Sequence, residues 1–533
     1  MTTWTEVMTL AVLLGSLCGC VTQAPVPDPS AALEIGSFFG YQAANTGRLP
    51  GHEPALPGRY VVLAFSGGGT RAAALAQGVL RELEATRSPV AANLTLLEAV
   101  DMVSSTSGGS VAAANFVLRG RDGYRRLDAP DGFLLHNGMT ELVGGILSPL
   151  DIAERAVTEK SRIQLLSAMF RHTTFGDATF GTLLGQRPRH PPLLVLNAAD
   201  MATGERFPLV QRQLDRLCLD LRDIALADAV SASAAFPIAL TPMRLPDRSP
   251  CPAQSSGRGR AVIDGLLNEA GERRAALAAG CTDERPVLNI GPVLDTRPGA
   301  YRSRGRRQRP LLNLDACGRA LADDDPARVH YVFLLDGGIA DNLGLAEPLE
   351  TLTDRGDDVR VVTAIAAGEI REVVVIAVNA RSQPATAIGH GTGIPGIVSM
   401  AGAVIAASID GRSGGLVAEL ESLPALLRDT FRDIPGGPPK VTILSVDFEA
   451  IQDAGCRSRF LEIGTNWSLP ANTIAALQGM GSAILRASPG YLKLAGVPDP
   501  SNATQAGQAR AIQACRMLSD PAFPGPPPVF GPG

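Results

Sequence analysis

Three short stretches of this 533-residue chain carry residue types that could together do acyl chemistry. "VSSTSGGSVAAANF", from Val103, sets four serines and two adjacent glycines between an apolar run and a series of alanines. "FSGGGTRAAALAQG", from Phe65, places Gly67, Gly68 and Gly69 ahead of Arg71. "FLLDGGIADNLGL", from Phe333, ends an apolar run in Asp336, Gly337 and Gly338. A serine oxygen attacks a carbonyl when a base takes its proton, and the charge that develops on the carbonyl oxygen needs fixed hydrogen-bond donors.

The four serines are not equivalent. A nucleophile elbow turns sharply from a strand into a helix and needs small residues two before and two after the serine. Centred on Ser107, the frame is Ser105, Thr106, Ser107, Gly108, Gly109, with glycine at the later position and serine at the earlier one. Centred on Ser110, the serine falls a turn inside the helix and away from the strand end. Ser107 is the better nucleophile candidate. On its own the stretch also reads as a capped helix start whose alanines pack closely against a neighbour.

Gly67, Gly68 and Gly69 end a strand and open a helix, where backbone amides can point at an anion. In acyl transfer that anion is the tetrahedral intermediate's oxygen; a phosphate is the competing ligand. A P-loop is disfavoured because no Lys-Ser/Thr pair follows the glycines, while Gly67, Gly69 and Ala72 fit a dinucleotide fingerprint, which alone is a weak signal. Asp336 closes a strand, and a carboxylate there faces the crevice where α/β sheets bind ligands. It can take the serine proton or orient a base, or serve only as a turn former.

None of the histidines, at 52, 136, 172, 190, 330 and 390, sits in a strand-end motif after Asp336 of the kind a Ser, Asp, His order requires. His330 falls inside the strand that leads to Asp336. A Ser-Asp dyad is the economical reading.

The elements that must position these groups follow from periodicity. "YVVLAF" is a strand; "TRAAALAQGVLRELEA", with Leu75, Val79 and Leu83 at four-residue spacing, is an amphipathic helix. A second such unit runs into Ser107. Further strands are expected at 192–198, 331–336, 373–380 and 441–446. Strands alternating with helices predict an α/β fold around a mostly parallel central sheet. Near the C-terminus, "NWSLPANTIAALQGMGSAILRAS" predicts a packing helix capped by Ser468, with Pro470 near its start and Ile474, Leu477 and Met480 facing inward.

"GGGTRA", "STSGG" and "DGG", in this order, resemble the patatin-like phospholipase family over about residues 60–380. The resemblance implies a three-layer α/β sandwich and a lipid acyl hydrolase. It assigns Gly67, Gly68 and Gly69 to the oxyanion hole, Arg71 to its supporting cation, Ser107 to the nucleophile and Asp336 to the base, with Gly109, Gly337 and Gly338 as supporting turn residues. "SASAAFPIALTPM" (231–243) is similar to the family's Ala-Ser-x-Ala-x-Pro segment, and "FGDATFGTLL" (175–184) to its Phe/Gly-Asp-Leu region. Two positions depart from the pattern: Ser105 for the elbow's first glycine and Ala72 for the glycine after Arg71. Both replacements are small, so the geometry is expected to survive. A dead hydrolase fold that binds lipid is the alternative reading, and an NAD(P)-dependent oxidoreductase a more distant one. No cofactor or metal is called for.

The remaining sequence sets the context. The apolar stretch from Val7 to Leu17 suits a signal-peptide core, and Leu17, Cys18, Gly19 and Cys20 resemble a lipoprotein cleavage box, which makes residues 1–20 a signal and Cys20 the lipidated residue. No Lys or Arg precedes the apolar run, and an uncleaved helix or ordinary secretory signal is the other reading. Val21 after Cys20 implies, by resemblance to such lipoproteins, an outer-membrane address facing the periplasm. Residues 21–58 then read as a tether, 59–380 as the catalytic domain with an insertion at about 244–328, 381–518 as a C-terminal α/β extension packed on it, and 519–533 as a Pro/Gly-rich tail. The Arg-rich run at 302–309 is a solvated loop or a contact for anionic headgroups. The cysteines at 218, 251, 281, 317, 456 and 515 permit disulfides in an oxidising compartment, with free buried thiols as the other reading, and none has metal-ligand spacing. A net charge of −5 gives no bulk attraction to nucleic acid. The expected partners are a lipid ester and a membrane surface.

Overall fold

The computed structural model describes residues 56–135, 162–184, 192–247 apart from 215, 216, 218 and 238, 330–353, 360–382 and 397–519 apart from 499. Cys20, the signal, the tether up to residue 55, most of the 244–328 insertion with its Arg-rich run, the tail beyond 519 and the cysteines at 218, 251, 281 and 317 lie outside the described residues.

The described chain is mixed α/β, with helices flanking a central sheet. Its strands are β1 (Arg59–Phe65), β2 (Met102–Thr106), β3 (Leu193–Asp200), β4 (Arg206–Pro208), β5 (Met243–Asp247), β6 (His330–Asp336), β7 (Glu372–Asn379) and β8 (Lys440–Asp447). They are ordered β5-β6-β3-β2-β1-β7-β8, with β4 paired to β3. β2, β1, β7 and β8 run parallel to one another and to β3, whereas β6 is antiparallel to β3 and to β5. The central strands are continuous apolar runs: β1 reads RYVVLAF and is buried from Tyr60 onward, as expected of strands covered on both faces.

The helices used below are α1 (Gly69–Ala85), α2 (Gly108–Arg125), α3 (Arg162–Phe170), α4 (Leu226–Ser233), α5 (Ile397–Thr430), α6 (Ala454–Leu461), α7 (Ala471–Ala487) and α8 (Pro500–Ser519). Leu75, Val79 and Leu83 are buried along α1 as their spacing predicts. α7 buries Ile474, Leu477 and Met480 but starts after Pro470, which stands at the cap position in place of Ser468. A proline disfavours helical backbone at the residue before it, and the helix begins only after an extended Pro470 at ψ 145°.

The C-terminal residues do more than cover the domain. β8 lies in the same sheet, parallel to β7 from Glu372↔Lys440 to Asn379↔Asp447, and α7 packs on α1 and α8. The α1–α7 contact buries Glu82, whose carboxylate meets Arg486 at 2.6 Å, Arg510 at 3.2 Å and the Ser482 hydroxyl at 2.6 Å. A buried carboxylate keeps its charge only with such partners. A disulfide between Cys456 and Cys515 joins α6 to α8.

Register sets the working edge of the sheet. Phe65 pairs with Ser105 and with Val378, Thr106 pairs with Asn197, and Ala198 pairs with Asp336. The carboxyl ends of β1, β2, β7 and β6 therefore arrive in one row. Gly67, Ser107 and Asp336 leave the sheet there.

Candidate active site

Ser107 is the single residue joining β2 to α2, and it turns at φ 51°, ψ −122°. It is the only non-glycine among the described residues with positive φ. Such a conformation costs on the order of 1–3 kcal/mol and persists only where its surroundings enforce it. The enforcement is close packing: a Cβ on Gly108 would stand 2.0 Å from Gly69 O, and one on Gly109 would stand 2.5 Å from Ser66 O. The start of α2 can thus lie directly on the glycine-rich turn only because both residues lack side chains.

The Ser107 hydroxyl donates to Asp336 Oδ2 at 2.9 Å. Asp336 Oδ1 accepts the Gly338 amide at 2.7 Å, which fixes the rotamer of the carboxylate. Asp336 is 6% exposed and Ser107 7%. Burial pushes the Asp336 carboxyl up to about 6, and the hydrogen bonds from Gly338 and Ser107 pull in the other direction. At neutral pH it is mainly a carboxylate, with more basicity than an exposed aspartate.

Past Asp336 the chain crosses back over the strand ends. A Cβ on Gly337 would meet Asn197 O at 2.1 Å and Thr106 Cγ2 at 3.1 Å, so this passage demands glycine. Thr106 Oγ1 then donates to Asp341 O at 2.7 Å, and Gly67 donates its amide to Asn342 O at 2.9 Å. Gly67 is therefore already engaged. Gly68 (φ 139°) and Gly69 (φ 59°) have no hydrogen-bond partner for their amides among the described residues.

Asn342 is a residue that sequence reasoning missed. Its Oδ1 lies 2.5 Å from where a Gly67 Cβ would be and 3.1 Å from that of Gly338, and Ser107 Cβ is 3.3 Å from the same Gly67 position. The carboxamide thus sits between the glycine-rich turn and the Asp336 turn. The signal was present in "DGGIADN", six residues past the aspartate, but nothing in spacing alone says that this loop folds back onto Gly67.

Arg71 is 2% exposed, and no carboxylate lies within salt-bridge distance of it among the described residues. Its Nε donates to Ala380 O at 2.8 Å, Nη1 to Ile463 O, and Nη2 to Thr465 Oγ1 at 3.2 Å. The guanidinium also stands 3.0 Å from the position of a Gly68 Cβ. Burial lowers it to about 10, which leaves it cationic at neutral pH. The loop that supplies two of its acceptors is held by Trp467, packed on Phe133 at 6.1 Å and Phe170 at 6.2 Å. Arg71 both ties α1 to β7 and places a positive charge behind the glycine-rich turn.

Other expected features fall into place around this centre. Ser105, at the departure from the elbow pattern, is fully buried on β2 and its hydroxyl points to Ser110 Oγ at 3.2 Å. Ala72 packs beside Gly68 without displacing it. His330 begins β6 while Asp336 ends it, and His172 is exposed on the turn after α3; the other histidines lie outside the described residues. The amide of Thr70 donates to Asn466 O at 2.9 Å, which consumes one of the first-turn donors that a dinucleotide phosphate would need.

The carboxyl edge of a mixed α/β sheet thus gathers a positive-φ serine, a buried carboxylate and a glycine-rich turn. Residues 63–270 match the family model "Patatin-like phospholipase", so the chain carries a patatin-like phospholipase domain over that stretch. Asp336 lies beyond the matched stretch and is brought to Ser107 by the pairing of β6 with β3. Among solved structures the chain is similar to the human GIVD cytosolic phospholipase A2 at 11% identity and a TM-score of 0.33, over 91% of this chain and 65% of that one. The chain thus spans about 65% of the length of that enzyme. No curated protein matches it.

Proposed function

We propose that the protein is a serine acyl hydrolase acting on phospholipids or other lipid acyl esters through a Ser107–Asp336 dyad. The observation that carries this reading is the 2.9 Å hydrogen bond from a positive-φ serine to a buried aspartate. Asp336 accepts the Ser107 proton as Oγ bonds to the ester carbonyl carbon, and the carbonyl oxygen takes the negative charge. The Gly68 and Gly69 amides receive that oxygen, each worth on the order of 3–4 kcal/mol in the transition state. Arg71 adds a fixed positive charge behind them. Collapse of the intermediate transfers the proton to the departing alkoxide, and water then releases the acyl group from Ser107.

A carboxylate is a weaker base than imidazole, and two features answer this: burial raises its basicity, and the Gly338 amide holds it in place. Cys20 belongs to the same proposal as the lipid-anchor site that keeps the domain on a membrane surface, the outer membrane facing the periplasm, next to its substrate. Loss of acyl-chain labelling in Cys20→Ala tests the anchor.

The hydrolase itself is tested by fluorophosphonate labelling and by fatty-acid release from phospholipid vesicles, with wild type set against Ser107→Ala. Labelling and release confined to the wild type support the dyad. An unlabelled wild type that still binds vesicles favours a lipid-binding protein on a hydrolase fold.

A further inference from the structure

The segment that ends α4 holds both halves of the proposed dyad at once. Ala235 O accepts the Asp336 amide at 2.9 Å and Ser233 O accepts the Gly337 amide at 3.1 Å, so the backbone of this segment fixes the Asp336 turn. Ser233 Oγ accepts the Ser107 amide at 2.9 Å. It is the one side chain of the segment with a hydrogen bond to the nucleophile.

The protons at Ser233 follow from its partners. Asn197 O, 2.6 Å away, can only accept, so the Ser233 hydroxyl donates to it. Ser110 Oγ, 3.0 Å away, must then donate to Ser233, and Ser105 Oγ shares its proton between Ser110 Oγ at 3.2 Å and Val195 O at 3.5 Å. Ser233 Oγ thus gives one hydrogen bond and receives two, which is its full capacity. All four polar residues are fully buried, so water does not compete. Asn197 is itself held: its Nδ2 donates to Ser104 Oγ and to Ser105 O, both at 3.0 Å.

The Ser107 amide is spent on Ser233, so the nucleophile's own N–H does not contribute to the oxyanion site. Ser105, where the family pattern has glycine, adds a hydroxyl 3.2 Å from Ser110 Oγ, behind the Ser110–Ser233 hydrogen bond.

We propose that Ser233 is a positioning residue for Ser107, clamping the nucleophile's backbone to the segment that also carries Asp336, and that Ser105 and Ser110 orient it. The proposal rests on the hydrolase reading for its kinetic effect, whereas the clamp itself does not.

The test compares Ser233→Ala with Ser231→Ala, since Ser231 is equally buried on α4 and donates to Ala227 O at 2.7 Å, away from the site. Both variants lose one buried hydroxyl, so a purely structural role predicts equal effects. The clamp predicts that Ser233→Ala lowers kcat on a short-chain p-nitrophenyl ester by ~10- to 100-fold, the scale of a misplaced reacting group, with KM within about two-fold. Ser231→Ala should keep the wild-type kcat, and Ser233→Thr, which retains the acceptor, should recover most of it. Exchange of the Ser107 amide, followed by hydrogen–deuterium exchange of the peptide containing it, should accelerate in Ser233→Ala and not in Ser231→Ala. Equal kcat losses in the two alanine variants, or unchanged amide exchange in Ser233→Ala, would overturn the proposal. A wild type that neither hydrolyses esters nor labels at Ser107 would instead overturn the hydrolase reading, and the exchange measurement would still decide the clamp.

Discussion

Ser107 Oγ and Asp336 Oδ2 stand 2.9 Å apart although 229 residues separate them in the chain, and no other protein group intervenes. Their meeting depends on two registers, Thr106↔Asn197 and Ala198↔Asp336, and on one glycine, Gly337, that lets the chain cross Asn197. Asp336 is buried and Ser107 is strained. Each condition has a measurable consequence.

Hydrolysis should require Asp336 as a carboxylate. Because burial pushes it up to about 6, kcat/KM should fall on the acid side with a midpoint near pH 6, where an exposed aspartate would titrate two units lower. Ser107→Ala and Asp336→Asn should each reduce kcat by at least ~10³-fold, as loss of a dyad member does when the two act as a unit. A pH–rate profile on a soluble ester, whose leaving group does not titrate, checks the midpoint.

The same burial makes Asp336 a burden on the fold. A carboxyl whose folded pKa lies above its ordinary value of 3.8 favours folding when protonated and loses that advantage as pH rises through about 6. Asp336→Asn keeps the shape and removes the charge, so it should stabilise the protein at pH 8, by about 3 kcal/mol at most from a shift of this size. The gain should shrink below pH 6 and vanish near pH 4. Thermal unfolding of the two proteins across that range would show it, and a variant less stable at pH 8 would count against the buried-carboxylate account.

Much of this site was legible in the sequence, and the boundary has a physical basis. Ser107, Asp336 and the glycines could be named because turn chemistry and strand periodicity are local: a serine between a β-rich run and two glycines, and an aspartate at a strand end. What escaped were contacts that depend on how loops return. That Gly67 spends its amide on Asn342 O could not be read from "SGGG", because the partner lies on a loop placed by the antiparallel pairing of β6. The role of Arg71 divides in the same way. Its position after the glycines marked a supporting cation, whereas its acceptors Ala380 O, Ile463 O and Thr465 Oγ1 come from the C-terminal part of the chain.

Those acceptors define the cost of removing Arg71. Arg71→Met preserves much of the stem but strands the buried Ala380 carbonyl and leaves the half-buried Ile463 carbonyl and the Thr465 hydroxyl to water, so it should destabilise by about 1–3 kcal/mol. Arg71→Lys keeps the charge but cannot reach three acceptors in fixed directions. It should recover part of the stability while leaving the Gly68 turn less firmly held, seen as a lower kcat with a near-normal melting temperature.

Packing at the elbow gives a sharper contrast. Gly108→Ala would drive a methyl to 2.0 Å from Gly69 O, backbone against backbone, so relief requires moving the glycine-rich turn away from Ser107. Gly120 also sits in α2, at φ 59°, with nothing within 4 Å of its added Cβ. Gly120→Asn meets no clash and should therefore cost only the backbone strain of φ 59°, ψ −136°, about 1–3 kcal/mol, and leave hydrolysis intact. Gly108→Ala should abolish hydrolysis even where the protein still folds. Circular dichroism and probe labelling on the two variants separate a local clash from general loss of structure.

The Cys456–Cys515 disulfide closes a span of 59 residues that contains α7, the helix packed on α1. Cross-linking a loop of that length removes unfolded-state freedom worth about 4 kcal/mol in the chain-entropy description. α8 depends on it most, because few of its residues are buried: Gly507, Ala514 and Met517. Cys456→Ser with Cys515→Ser should thus lower the melting temperature and raise hydrogen exchange along α8, while the Ser107–Asp336 pair, held by the opposite part of the sheet, keeps its reactivity toward the probe at temperatures where the variant remains folded. Equal exchange along α8 with and without the bridge would mean that the Arg510–Glu82 contact, at 3.2 Å, and the apolar face of the helix hold it in place unaided.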